Sequence, residues 1–165
     1  MAPDSKAPVL PVGVVGLVDV GRLIREVEQL QDALRSEALR SGAAPSQAPK
    51  MSLLLDQLVS TNNLDIAQES QRQAIIDFLK LVKKDAPRLH MSFSANPSAQ
   101  FTGKLMTWLR QNIHPHTLLT IGLQPGIGAG CVLRSTNKYF DMSLSKSFGD
   151  KRDLLMQRLR AQGPA

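Results

Sequence analysis

Three glycines in five residues, Gly126, Gly128 and Gly130, follow Pro125 in the stretch QPGIGAGCVLRSTNKYFDMSLSKS (124–147). Glycines beside a strand can cradle a phosphate, because their backbone N–H groups approach an anion without steric obstruction. The dinucleotide fingerprint is G-x-G-x-x-G between a strand and a helix. Here the spacing is G-x-G-x-G, the next element alternates like a strand, and no G-K-[ST] follows. The glycines therefore read as backbone devices. Pro125-Gly126 makes a turn, and Gly128 and Gly130 permit a bulge or a close backbone approach where a strand begins. Asp141 and Ser143 read as short polar side chains that bond neighbouring backbone groups at a strand end.

The other chemical candidates are sparse. Ser143 to Lys146 spells S-x-x-K, but the S-D-N and K-T-G companions of a penicillin-recognising nucleophile are missing. His114 and His116 flank Pro115 with neither thiolate nor carboxylate nearby in sequence, which makes a poor zinc set. The single cysteine, Cys131, excludes an internal disulfide. It lies in an apolar run, where a thiol behaves as a small hydrophobe. One cysteine also fits a reducing, cytosolic setting. The expectation is a chain that is not an enzyme, with no catalytic residue, cofactor, metal or small-molecule substrate.

Charge is distributed unevenly. Residues 1–79 carry 7 Lys/Arg against 10 Asp/Glu, and residues 80–165 carry 13 against 4, so an acidic front of −3 precedes a basic back of +9. A basic half attracts acidic proteins or nucleic acid. Phe93, Phe101, Trp108 and Phe140 occupy core-like positions in the pattern, so the aromatic platform of a single-strand binder is thin.

The elements that must position these residues follow from periodicity. Residues 1–18 read as an extended arm, without the charged start and cleavage pattern of a signal peptide. Asp19 reads as the N-cap of a helix to about Arg40, with Leu23, Val27, Leu30 and Leu34 on one stripe. A Pro-containing loop (42–49) leads to a short helix (52–60) ended by Thr61-Asn62-Asn63. A longer helix (65–84) carries Ile75, Phe78, Leu79 and Val82 and ends in Lys83-Lys84, cations suited to its negative end. From Pro87 the texture changes. Residues 88–95 alternate as a strand, with Leu89, Met91 and Phe93 on one side. A helix over 98–112, capped by Asn96 or Ser98, turns Phe101, Leu105, Trp108 and Leu109 inward. Residues 116–124 form a second strand. CVLRS and YFDMSL, joined by a short Asn-containing turn, form a hairpin. Asp150 opens a final amphipathic helix with Leu154, Leu155 and Leu159. The fold class is α+β: a small helical region of about three helices (19–86), then a strand–helix–strand–strand–strand–helix domain (87–165).

That second region resembles the C-terminal domain of the F-type ATP synthase delta subunit, whose mitochondrial counterpart is the oligomycin-sensitivity-conferring subunit. The likeness is carried by Ser94-Ala95, the helix over 98–112, Leu119-Thr120-Ile121 and Pro125. It continues through Gly128, Gly130, Val132-Leu133-Arg134, Phe140-Asp141-Met142-Ser143 and Leu154 to Leu159. The family's larger all-helical opening domain would be shortened, replaced or supplied by another chain here, and Lys146 to Asp150 separates the Asp-x-Ser from the last helix. The resemblance implies a non-catalytic stator subunit, peripheral on the cytoplasmic side of the membrane. It would link the catalytic head of a proton-translocating ATP synthase to the membrane-anchored stalk helices. Its partners would be those helices and the head subunits, with nucleic acid unlikely. Charge and position nominate Lys104, Trp108, Arg110, Arg134, Lys138, Arg152, Leu155 and Arg158 as contacts. The alternative reading is a small basic nucleic-acid-binding protein.

Overall fold

A computed structural model describes residues 8–41 and 51–161; the opening of the arm and the loop expected over 42–49 lie outside them. The fold is α+β. The order is α1 (Leu17–Ser41), α2 (Leu53–Asn62), α3 (Glu69–Asp85), β1 (Arg88–Phe93), α4 (Ala99–Asn112), β2 (Leu118–Leu123), a 3-10 turn (Pro125–Ile127), β3 (Gly130–Arg134), β4 (Tyr139–Ser143) and α5 (Leu144–Ala161). None of the described helices is long and apolar enough to cross a membrane. The chain divides into two compact units. One runs to Pro87 and takes in Gly103–Leu118; the other comprises Arg88–Thr102 and the chain from Leu119 onward.

The first unit is a helical core closed by the N-terminal segment. Val20, Leu23, Ile24 and Val27 of α1 meet Leu55 and Leu58 of α2, and Ile75, Ile76, Leu79 and Val82 of α3. Leu10 and Val14 enter the same cluster. Asn62 grips the segment through both backbone groups of Val9. Asp19 lies in the first turn of α1, not at its N-cap as the sequence suggested, because the helix begins at Leu17. Its carboxylate accepts from the N–H groups of Val15 and Gly16, which pins the entry to the helix. Ser52 caps α2 by accepting from the Leu55 N–H, and Glu26 accepts from both the backbone and the hydroxyl of Ser52. Helix α2 runs on through Thr61 and Asn62, and Asn63 ends it in the left-handed conformation, where an Asn is tolerated. The third helix starts at Glu69 rather than near 65, since Asp65 folds its own carboxylate back onto the Ala67 N–H in an Asx turn.

The sheet has the order β2-β1-β3-β4. The Leu118 N–H donates to Pro87 and the Gln124 N–H to Phe93, so β2 advances in step with β1 and runs parallel to it. Strand β3 pairs antiparallel with both β1 and β4. In the second unit Leu89, Met91, Leu119, Ile127 and Val132 are buried, and Phe101 meets Phe93 edge-on at 5.9 Å. Ser98 caps α4 by accepting from the Phe101 N–H. Helix α4 buries Met106 and Leu109, whereas Phe101 and Trp108 are exposed, contrary to the expected stripe. Two overlapping stripes fit the sequence of this helix. Rotation by one residue chooses the one through Met106 and Leu109.

Candidate partner interface

The glycine-rich stretch forms a corner. Pro125 starts the 3-10 turn, and Ile127 plants its side chain in the core. Gly128 follows with φ 73° and ψ −66°, and the Ala129 N–H donates to the Ile127 carbonyl across it. That is a γ-turn of the strained kind, which glycine accommodates. Gly130 has φ +90°, and a Cβ there would lie 2.3 Å from the Met142 carbonyl oxygen. Only glycine lets β3 leave the corner against β4. Gly126 differs: a Cβ would meet nothing within 4 Å, and its φ is not positive.

The corner also anchors α5. Leu144 donates its N–H to Ala129, and the Ser145 hydroxyl donates to Ile127. Asp141 accepts from the Ser143 N–H, and Ser143 Oγ accepts from the Lys146 N–H. Hydrogen bonds from Ser143 hold the Asp141 carboxyl below its usual range. Ser143 is thus a helix cap, and α5 begins at Leu144, directly after β4. The expected separation of the Asp-x-Ser from the last helix, and a start at Asp150, are overturned by this cap. The sequence hides it because Ser143 also ends an alternating strand.

What the corner presents is the outer strand of the sheet. Directly paired residues share a face, so Met91, Leu133 and Phe140 form one row and Phe93, Cys131 and Met142 the next. Burial fades along both rows. Met91 is 6% exposed, Phe140 48% and Met142 53%. Phe140 is therefore not a core residue, contrary to the expectation. Beyond β4, Phe148, Arg152 and Met156 are exposed at four-residue spacing on α5. The Arg134 guanidinium lies 5.7 Å from the ring centroid of Tyr139, an exposed cation–π pair across the hairpin. Lys138, Arg152 and Arg158 are exposed, and Leu155 falls among α5 residues whose side chains lie outside the description.

The remaining nominated residues belong to the first unit. Lys104 and Trp108 are exposed one turn apart on α4. Arg110 is different. Its guanidinium turns inward and donates to the carbonyls of Leu10, Pro11 and Val14. Burial pulls its pKa down to about 10, so it stays charged at neutral pH. As a partner contact it is corrected: its Nη1 and Nη2 turn inward to lock the N-terminal segment, and its buried Nε has no hydrogen-bond partner among the described residues.

Groups with reactive potential are dispersed. Burial pushes the Cys131 thiol above its ordinary pKa, which leaves little thiolate at neutral pH. Among the described residues no group of three His, Cys, Asp or Glu side chains could hold a metal ion. His90 Nε2 and Ser92 Oγ lie 3.2 Å apart, on the face of β1 where the alternation puts them both. The exposed Tyr139, Phe140 and Met142 were also missed as interface candidates, since an apolar alternation looks the same on a central and an outer strand. The arrangement at β4 and α5 is suited to adhesion: an open apolar strip with basic side chains nearby. Compared with known proteins, the chain matches no family model and no curated protein.

Proposed function

We propose that this protein is a non-catalytic stator subunit of a proton-translocating F-type ATP synthase, attached peripherally on the cytoplasmic side of the membrane. The carrying observation is the open apolar strip at Phe140 and Met142. A monomer gains nothing from exposing such a strip on an outer strand, where it invites association. An amphipathic stalk helix would bury its apolar stripe there. Acidic flanks on that helix would suit Arg134, Lys138, Arg152 and Arg158 and speed encounter. The sequence resemblance to the delta-type C-terminal domain supports the same assignment. On this reading the first unit faces the catalytic head.

The test is a native pull-down from mildly solubilised membranes at low and moderate salt, with the captured chains identified by mass spectrometry. Stalk and head subunits are expected at both salts. Nucleic acid alone, lost at moderate salt, would support the basic-half alternative instead, because binding through phosphates falls steeply with ionic strength.

A further inference from the structure

Strand β4 has an edge as well as a face. It is the outer strand of its sheet and pairs only with β3. Antiparallel pairing turns the backbone groups of alternate residues toward the neighbouring strand and away from it. Two bonds fix the phase here: the Ser135 N–H donates to the Lys138 carbonyl, and the Leu144 N–H to the Ala129 carbonyl. Lys138, Phe140, Met142 and Leu144 therefore turn to β3, and Tyr139, Asp141 and Ser143 turn outward. The Asp141 carboxylate already accepts from the Ser143 N–H. The outward N–H and C=O groups of Tyr139 and Asp141 have no hydrogen-bond partner among the described residues. Neither proline nor bulge blunts the strand, whose register with β3 is continuous.

This edge is complementary to itself in one register. Set a second β4 antiparallel against it, with Phe140 opposite its twin. Tyr139 of each strand then falls opposite Asp141 of the other. Each such pair exchanges both backbone bonds, so all the outward groups of Tyr139 and Asp141 are used on both strands. A shift of two residues one way sets Asp141 against the turn residue Asn137. A shift the other way sets the two Asp141 carboxylates against each other. An odd shift puts the faces of the two sheets out of phase. Charge favours the same register. The Arg134 guanidinium lies 5.7 Å from the Tyr139 ring centroid and has no carboxylate partner among the described residues. Asp141 of the second copy would come opposite that ring, giving one carboxylate for each guanidinium. Lys138 falls opposite Met142, so no like charges face each other directly.

We infer that the protein pairs with a second copy of itself through β4, joining two four-stranded sheets into one continuous sheet. The inference uses the edge of β4. The stator reading uses its Phe140 and Met142 face, so either can fail without the other.

The test is sedimentation equilibrium on the full chain, at concentrations up to about 100 μM, with circular dichroism to confirm that each variant folds. Wild type should dimerise. Tyr139→Pro removes an outward N–H, at an edge position where a strand tolerates proline, and Arg134→Glu sets a carboxylate beside Asp141 of the second copy. Each should raise the dimer Kd by about tenfold or more. Oxidative crosslinking reads the register in a Cys131→Ser background. Phe140→Cys should crosslink, because a non-hydrogen-bonded pair brings the two Cα atoms to about 4.5 Å. Met142→Cys should not, since its twin lies four residues away along the strand, about 13 Å. The inference is overturned by a wild type that stays monomeric, by a folded Tyr139→Pro or Arg134→Glu with unchanged Kd, or by Met142→Cys crosslinking as readily as Phe140→Cys.

Discussion

In the first unit the apolar stripes of α1, α2 and α3 converge, Leu10 and Val14 fill the same cluster, and Arg110 ties down the carbonyls of the covering segment. In the second, the rows that begin at Met91 and Phe93 end at Phe140 and Met142, about half exposed. The central cluster of the first unit is closed by the chain's own N-terminal segment, whereas the paired rows of the second stay open at the outer strand. The difference teaches where adhesion belongs. A closed core specifies a fold, whereas an open row on a paired, rigid strand specifies a fold and a landing surface together. The corner at Gly128 and Gly130 holds that strand in place.

The largest effect should come from breaking the corner. Gly130→Val puts a side chain into the Met142 carbonyl at a positive φ, and urea unfolding should register a loss of about 3 kcal/mol or more. Gly128→Ala meets no clash, so only the strained γ-turn backbone (φ 73°, ψ −66°) counts, at about 1–3 kcal/mol. Gly126→Ala should lie within about 0.5 kcal/mol of wild type. Equal losses at all three would contradict the geometric reading.

The closed unit breaks next. Arg110→Met strands the carbonyls of Leu10 and Val14 and leaves Pro11 only the Val14 N–H, and thermal unfolding should show a loss of about 2–3 kcal/mol. Hydrogen exchange over residues 8–16 should accelerate in the variant while the β3–β4 amides keep their protection.

These two sites were not equally legible. Glycine spacing announced a turn with no phosphate loop, and the local reach of Asp141 and Ser143 could be read from their short side chains. Ser98 as a cap and the alternation of β1 follow from local chemistry that sequence records directly. Arg110 misled because a cation in a basic half looks like surface; its three acceptors come from residues about a hundred positions earlier in the chain. Trp108 and Phe101 misled because apolar periodicity names a stripe only to within a rotation. Phe140 and Met142 misled because strand order, which makes β4 an outer strand, is not written in any local pattern.

A smaller effect should appear on acidification. His116 packs edge-on against Phe78 at 5.3 Å, and its buried Nδ1 has no hydrogen-bond partner among the described residues. Burial, then His114, then Arg110 lower its pKa below the ordinary 6.5. The unfolded chain therefore takes up this proton more readily, and stability contributed by neutral His116 is lost as pH falls below about 6.5. A modest Tm decrease between neutral pH and mild acid should vanish in His116→Phe.

The most direct test of the central claim is the Phe140→Ser, Met142→Ser double variant. Both side chains are already half exposed, so its Tm should stay within a few degrees of wild type. In the same membrane pull-down, the account predicts that the folded variant loses the stalk subunits. A variant that folds normally and still captures them at moderate salt would contradict it.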